Sequence, residues 1–269
     1  MWRLLCAQLA SNEVEGSSRQ WARTWRAQYN LKNSRARLYN KHVAMACPTA
    51  KGKRLAYEYR DLVKGGGEGG GEGENEGSDG VSKQHSKTFS YGEIPFESFE
   101  ALFALVRAVS DGSALRGTTF VDLGSGTGKA VISAALLGQF RECRGIELVE
   151  NLHAEAIKLK EEVWNGKIKD LLHSPPPRIE FCRKDLAADD WASEGVGMVY
   201  ACSTMFTPDL MKCIGRKASL GLGVGAVVVT LTKPLDLQDA GIGGNMALRC
   251  ETWLRMSWGP ARVFVYERV

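Results

Sequence analysis

The sequence has 269 residues and a formal net charge of +4, with 44% hydrophobic and 25% charged residues. That balance suits a globular chain with one sizeable core and excludes a fibrous or wholly disordered one. No apolar run approaches the ~18 residues that span a bilayer, so no membrane partner is expected. The seven cysteines include no Cys-x-x-Cys pair and fit a reduced compartment better than a disulfide or zinc framework.

The charge is partitioned along the chain. Residues 1–64 carry 13 Lys and Arg against 4 Asp and Glu. Residues 65–80 carry five acids, nine glycines and no base, and residues 81–269 carry 22 charges of each sign. Residues 1–64 are read as a basic N-terminal extension, helical or disordered. Residues 65–85 are read as a flexible Gly/Glu-rich linker, because they bury too little apolar area to offset the entropy of ordering. Residues 86–269 are read as the folded domain. The extension interleaves bases with rings: Arg19, Trp21, Arg23, Trp25, Arg26 and Tyr29, then Lys51, Lys53, Arg54, Tyr57, Tyr59 and Arg60. Two readings stand side by side: contact with nucleic-acid phosphates and bases, or a helical cap whose rings pack on the domain. The first twelve residues faintly suggest a transit peptide, a reading that Glu13 and Glu15 weaken.

In chain order, Phe96 to Val109 has apolar residues at helical spacing. Thr119 to Leu123 reads as a buried strand, Gly124 to Gly128 as a tight turn and Lys129 to Leu137 as a helix. Cys143 to Ile146 is a second strand and Leu148 to Trp164 a second amphipathic helix. Arg178 to Cys182 and Met198 to Ala201 are the third and fourth strands. Pro208 opens a helix, where its missing N–H costs little, and Gly225 to Thr232 is a fifth strand. Arg249 to Ser257 and Arg262 to Glu267 form a closing antiparallel hairpin around Gly259-Pro260. Alternating strands and helices predict an α/β, Rossmann-like, mostly parallel sheet. Its ligand should sit beyond the carboxyl ends of the strands.

The motif with chemical content is Asp122-Leu-Gly124-Ser-Gly126-Thr-Gly128-Lys129, directly after a strand. A dinucleotide fingerprint would place its third glycine at Lys129, and that test fails. The spacing is that of S-adenosylmethionine-dependent methyltransferases. Asp122 suits the ammonium of the cofactor's amino-acid end, Glu147 the ribose hydroxyls and Asp185 the adenine amine. Three acids at three successive strand ends make the constellation. His85, His153 and His173 show no metal-ligand spacing, and no metal is expected. No His-Asp pair or paired carboxylates offer a catalytic base.

After the fourth strand, where the acceptor side is expected, the chain reads Ala201-Cys-Ser-Thr-Met-Phe206-Thr-Pro208. An Asn-Pro-Pro-Tyr type tetrapeptide and a Pro-Cys pair are both absent. Cys202 is either a reactive thiol or, preferably, a small buried wall residue. Phe206 and Trp258 either line a lysine channel or are ordinary core, and Phe264 and Tyr266 compete for a further channel position.

At this point the chain resembles the disruptor-of-telomeric-silencing (Dot-one) histone lysine methyltransferases. Five segments carry the resemblance in the family's order: Tyr91-Gly92-Glu93 with Phe96, Phe120 to Lys129, Gly145-Ile-Glu147, Lys233-Pro234, and Ser257-Trp258 with Gly259. The resemblance implies a seven-stranded methyltransferase fold and methylation of a lysine on the core of histone H3 in nucleosomes. It also implies action in the nucleus, and a basic extension touching nucleosomal DNA. It carries cofactor contacts onto Tyr91, Gly92, Glu93, Asp122, Gly124, Gly126, Gly128 and Glu147. Lys129 stands where the family often has glutamine, Ile94 where threonine is common, and Leu186, after Asp185, where an aromatic covers the adenine. Cys202-Ser203 replaces a pair of asparagines, the first of which lies near the acceptor lysine. That departure keeps two alternatives in play: a lysine methyltransferase of a non-histone, mitochondrial or cytoplasmic protein, and a cofactor-binding module with impaired catalysis.

Overall fold

The computed structural model describes residues 34–65, 92–172 and 175–269. The expectations placed on residues 1–33, on the linker, on Tyr91 and on His85 and His173 fall outside these residues.

Seven strands form one sheet: β1 (Thr119–Leu123), β2 (Glu142–Glu147), β3 (Arg178–Arg183), β4 (Val196–Ala201), β5 (Val227–Leu231), β6 (Met246–Met256) and β7 (Gly259–Arg268), in the order β3-β2-β1-β4-β5-β7-β6. The first five pair in parallel, whereas β7 runs antiparallel between β5 and β6. β1 and β4 carry no exposed residue, as expected for parallel strands covered on both faces. The strand order reverses beside β1, so the crevice opens there, beyond the ends of β1, β2 and β4.

Each face of the sheet has its own core. On one, α3 (Phe96–Val109) supplies Phe99 and Phe103, whose rings meet Phe120, Tyr200 and Phe140 edge-on or tilted. α4 (Lys129–Leu137) and α5 (Glu150–Leu159) cover the same face. On the other face, α6 (Pro208–Gly221) and the short α7 (Ala240–Gly243) pack Met211, Ile214 and Ile242 against Val199, Val228 and Phe264. No helix among the described residues is long and apolar enough to cross a membrane.

Beside shifts of one to three residues at strand ends, three differences from the sequence reading matter. The second helix begins at Glu150 because Glu147 accepts the Val149 N–H (2.8 Å), and it continues beyond Leu159 as a π-helix over Lys160–Ile168. The hairpin turns at Ser257-Trp258, whereas Gly259, at φ 129°, and Pro260 already belong to β7.

The third difference is larger. Residues 34–65 do not stand apart from the domain. They form α1 (Ser34–Leu38), a π-helical turn over Tyr39–Ala44, and α2 (Thr49–Gly65). Tyr39, Val43 and Cys47 are buried in the same core as α3 and α4, and Tyr39 stacks on Phe96 at 4.7 Å. Tyr39, Val43 and Cys47 recur every fourth residue, the spacing of one helical face, and of the two sequence readings of the basic segment the helical cap packed on the domain is the one these residues follow. Arg35, Arg37, Lys41 and Arg54 are exposed, so apolar burial and a basic outer face coexist.

Candidate functional site

The glycine turn joins β1 to α4. Gly124, Gly126 and Gly128 all have positive φ (78°, 54° and 79°), a conformation that side chains rarely adopt. At Gly124 an added Cβ would stand 3.3 Å from Phe206 Cζ, so the missing side chain lets the acceptor loop lie on the turn. At Gly128 it would stand 2.4 Å from Phe181 Cζ, so that glycine lets α4 pack tightly on β3.

A cavity of about 570 Å³ opens over this turn. Gly92, Glu93, Ile94, Asp122, Gly124, Gly126, Lys129, Glu147, Asp185, Leu186, Cys202 and Phe206 all line it. Gly128 and Trp258 do not: Gly128 serves helix packing, and Trp258 lies outside, its ring pressed over Gly92, where an added Cβ would stand 2.3 Å from Cζ3.

The acids differ in state. Asp122 is buried, and its Oδ1 has no hydrogen-bond partner among the described residues. Burial, reinforced by the neighbouring Glu147, raises its pKa well above the ordinary carboxylate range. Glu147 is also raised by burial, opposed by the N–H groups of Val149 and Gly126 that donate to it, the latter at 2.7 Å. Each of its oxygens keeps a lone pair for a diol. Asp185 is more open and its Oδ1 accepts the Ala187 N–H (2.8 Å), fixing the turn after β3. Beside it Leu186, whose carbonyl accepts from the Trp191 indole at 3.0 Å, offers an aliphatic surface to a flat base.

An orphaned carboxylate oxygen, a glycine cradle and a diol-facing glutamate fit S-adenosylmethionine: a cation at Asp122, a ribose at Glu147 and a base at Asp185 and Leu186.

The other half of the cavity is set by the segment after β4. Ser203 donates to Leu231 O (2.6 Å), Lys233 donates to Phe206 O, and Thr204 and Thr232 hydroxyls meet at 3.0 Å. The Lys233-Pro234 pair therefore acts on the acceptor loop. Tyr200, Met205, Asp209 and Cys213 line this side with Cys202 and Phe206. Burial, with Asp122 nearby, pushes the Cys202 thiol up to about 12, so the group stays neutral.

Among the lining residues that sequence reasoning did not propose, two stand out. Tyr200 sat inside a strand-like run and read as core. Tyr200 nevertheless lines the cavity, and its hydroxyl is buried without a partner among the described residues. Ala56, on α2, lines the cavity from the basic N-terminal segment, and nothing local in the sequence marks it.

The sequence model of the family described as "Histone methylation protein DOT1" matches residues 83–244. Several solved structures similar to this chain are described as methyltransferases of diverse kinds. TrmN from Thermus thermophilus is 21% identical with a TM-score of 0.48, over 65% of this chain and 52% of that one, so the chain spans about half of TrmN. Magnesium protoporphyrin IX methyltransferase from Synechocystis is 16% identical with a TM-score of 0.46, over 73% of this chain and 87% of that one. A putative RNA methyltransferase from Pyrococcus horikoshii is 15% identical with a TM-score of 0.49, over 81% and 98%. No curated protein matches the sequence.

Proposed function

Since this chain belongs to the DOT1 histone methylation family and is an S-adenosylmethionine-dependent methyltransferase, we propose that its acceptor is a protein lysine, on histone H3 within the nucleosome. The observation that carries this reading is the family match over residues 83–244, which spans the loop at Gly92, the glycine turn, Glu147 and the acceptor segment. The nucleus is then the place of action.

The cofactor brings a sulfonium-activated methyl, ready for in-line displacement by a neutral amine. The chain's own task is binding and orientation. Asp122 would take the ammonium of the amino-acid end, Glu147 the ribose hydroxyls, and Asp185 with Leu186 the base. A lysine side chain, with a free pKa of about 10.4, must shed its proton before it attacks. The apolar surfaces of Met205 and Phe206 and the neutral Cys202 favour the uncharged amine. Asp209, in the first turn of α6, lines the same cavity and brings a carboxylate group to it. The exposed Arg35, Arg37, Lys41 and Arg54 would neutralise DNA phosphates, giving an affinity that falls steeply with salt.

A second reading rests on Cys202-Ser203, which stands where the family has its asparagine pair: a lysine acceptor on a non-histone protein. Transfer of labelled methyl to nucleosomes, free histones and a mitochondrial extract in parallel separates the two. Label on H3 in nucleosomes is the expected result. Label confined to a mitochondrial protein favours the second reading, and label only in RNA or small metabolites defeats both.

A further inference from the structure

We propose that α2, through Ala56, is part of the wall of the S-adenosylmethionine site, and that Thr49 and Lys129 are positioning residues that seat the 92–94 loop against the segment ahead of that helix. The family match begins at residue 83, so it assigns no role to this segment.

The node is the Glu93 carboxylate, which lines the cavity. It accepts from the Thr49 hydroxyl and from the Lys129 ammonium. Lys129 is itself buried and also donates to Cys47 O at 2.9 Å. One cation therefore ties three segments together: the start of α4, the 92–94 loop and the chain just ahead of α2. From the opposite side, Glu93 N donates to Ser257 Oγ (3.0 Å) and Ser257 N donates to Glu93 O (2.9 Å), while Trp258 covers Gly92. The loop is thus pinned between the β6–β7 turn and the N-terminal segment.

α2 is fastened just as firmly beneath. Lys51 pairs with Glu155 at 2.6 Å, and Asn151 donates to Leu55 O at 2.6 Å. Ala56 packs on Val149 and Leu152, and all three line the cavity. Removing residues 47–56 would take away Ala56 from the cavity wall, the Cys47 carbonyl that Lys129 donates to and the Thr49 hydroxyl that donates to Glu93. The Lys129–Glu93 pair would then hold the loop with fewer hydrogen bonds, so the loop would sit less firmly against the site. Thr49 and Cys47 do not line the cavity, so any effect they have on ligand passes through Glu93 and Lys129.

The test is hydrogen exchange on the full chain with and without S-adenosylhomocysteine, joined to calorimetry on variants. The expected result is that amides of residues 47–56 gain protection with ligand, together with those of 124–128. Thr49→Val should weaken S-adenosylhomocysteine binding several-fold and Lys129→Gln by about tenfold or more, as hydrogen bonds to charged groups usually do. Thr49→Ser, which keeps the donor, should restore wild-type affinity. A purely structural α2 would move neither the ligand-dependent protection nor the serine rescue. Protection confined to 124–128, or Thr49→Val with unchanged affinity, overturns the proposal. Protection at neither segment overturns the cofactor assignment along with it.

Discussion

Asp122 and Tyr200 are register partners across β1 and β4, and each ends in a buried oxygen with no partner among the described residues. An unpaired buried polar group costs about 1–3 kcal/mol, and two side by side on one cavity wall mark a place kept ready for a ligand. Asp122→Asn should weaken S-adenosylhomocysteine binding by about ten- to a hundredfold, the range of a hydrogen bond to a charged group. The pH dependence has a definite sign. The folded pKa of Asp122 is raised, so the folded state holds the proton more tightly than the unfolded chain. Its contribution to stability is full below the unfolded value of about 3.9 and is lost as pH rises toward the folded value. The empty wild-type protein should therefore lose melting temperature as pH rises above about 4, and Asp122→Asn should lose less. Calorimetry over a pH series checks this, and parallel curves for the two proteins would remove Asp122 from the account. Ligand affinity should run the other way, strengthening as Asp122 ionises.

Tyr200→Phe removes the second orphaned oxygen and keeps the ring, whose centroid lies 5.1 Å from that of Phe99. The empty protein should be unchanged or more stable by about 1 kcal/mol, since a buried hydroxyl without a partner is replaced by hydrogen. Binding of S-adenosylhomocysteine should weaken by about tenfold. A variant that is destabilised but binds normally would show that the hydroxyl serves the core and not the ligand.

The strands, the glycine turn and the acids were legible because each is a local signal. Short strand-like runs place β1 to β5, and Asp122, Glu147 and Asp185 lie at or just past the carboxyl ends of β1, β2 and β3. What stayed hidden is non-local. Lys129 looks like the exposed first residue of a helix, yet it is buried because Cys47 and Glu93, distant in sequence, supply its acceptors. Residues 34–65 stood open between an arm and a packed cap because a basic outer face dominates the composition, and the four-residue spacing of Tyr39, Val43 and Cys47 marks a helical face without saying what it packs against. Tyr200 is hidden for a related reason: an aromatic inside a strand reads as ordinary core, and only the assembled fold puts it on a cavity wall.

Cys202 stands near the acceptor side, where a thiolate would compete for the methyl group. Its thiol is pushed up to about 12 by burial and by Asp122, which prevents that competition. At pH 8 a thiol with that pKa is ionised to about one part in ten thousand, against roughly a quarter for a free cysteine. Iodoacetamide at pH 8 should therefore leave Cys202 unmodified in the native protein, as read by peptide mass spectrometry, and modify it after unfolding. Alkylation of native Cys202 at the rate of a free thiol would reinstate it as a reactive group.

Gly92 and Trp258 form the outer seam of the loop over the cavity. A Cβ on Gly92 would stand 2.3 Å from Trp258 Cζ3 and 2.4 Å from Cε3, and its φ is not in the left-handed region, so contact alone forbids a side chain. Trp258 is about 40% exposed and can be pushed outward, carrying the 257–258 turn and its two hydrogen bonds to Glu93 with it. Gly92→Ala should therefore cost about 1–3 kcal/mol, typical of overpacking, and should weaken S-adenosylhomocysteine binding, because Glu93 moves with the turn. Trp258→Ala alone removes the obstruction and should disturb the loop less. Adding Trp258→Ala to Gly92→Ala should recover part of both losses, giving a coupling energy of about 0.5–3 kcal/mol in a double-mutant cycle. Additive losses in that cycle would mean that the tryptophan does not seat the loop and that the clash is relieved by another route.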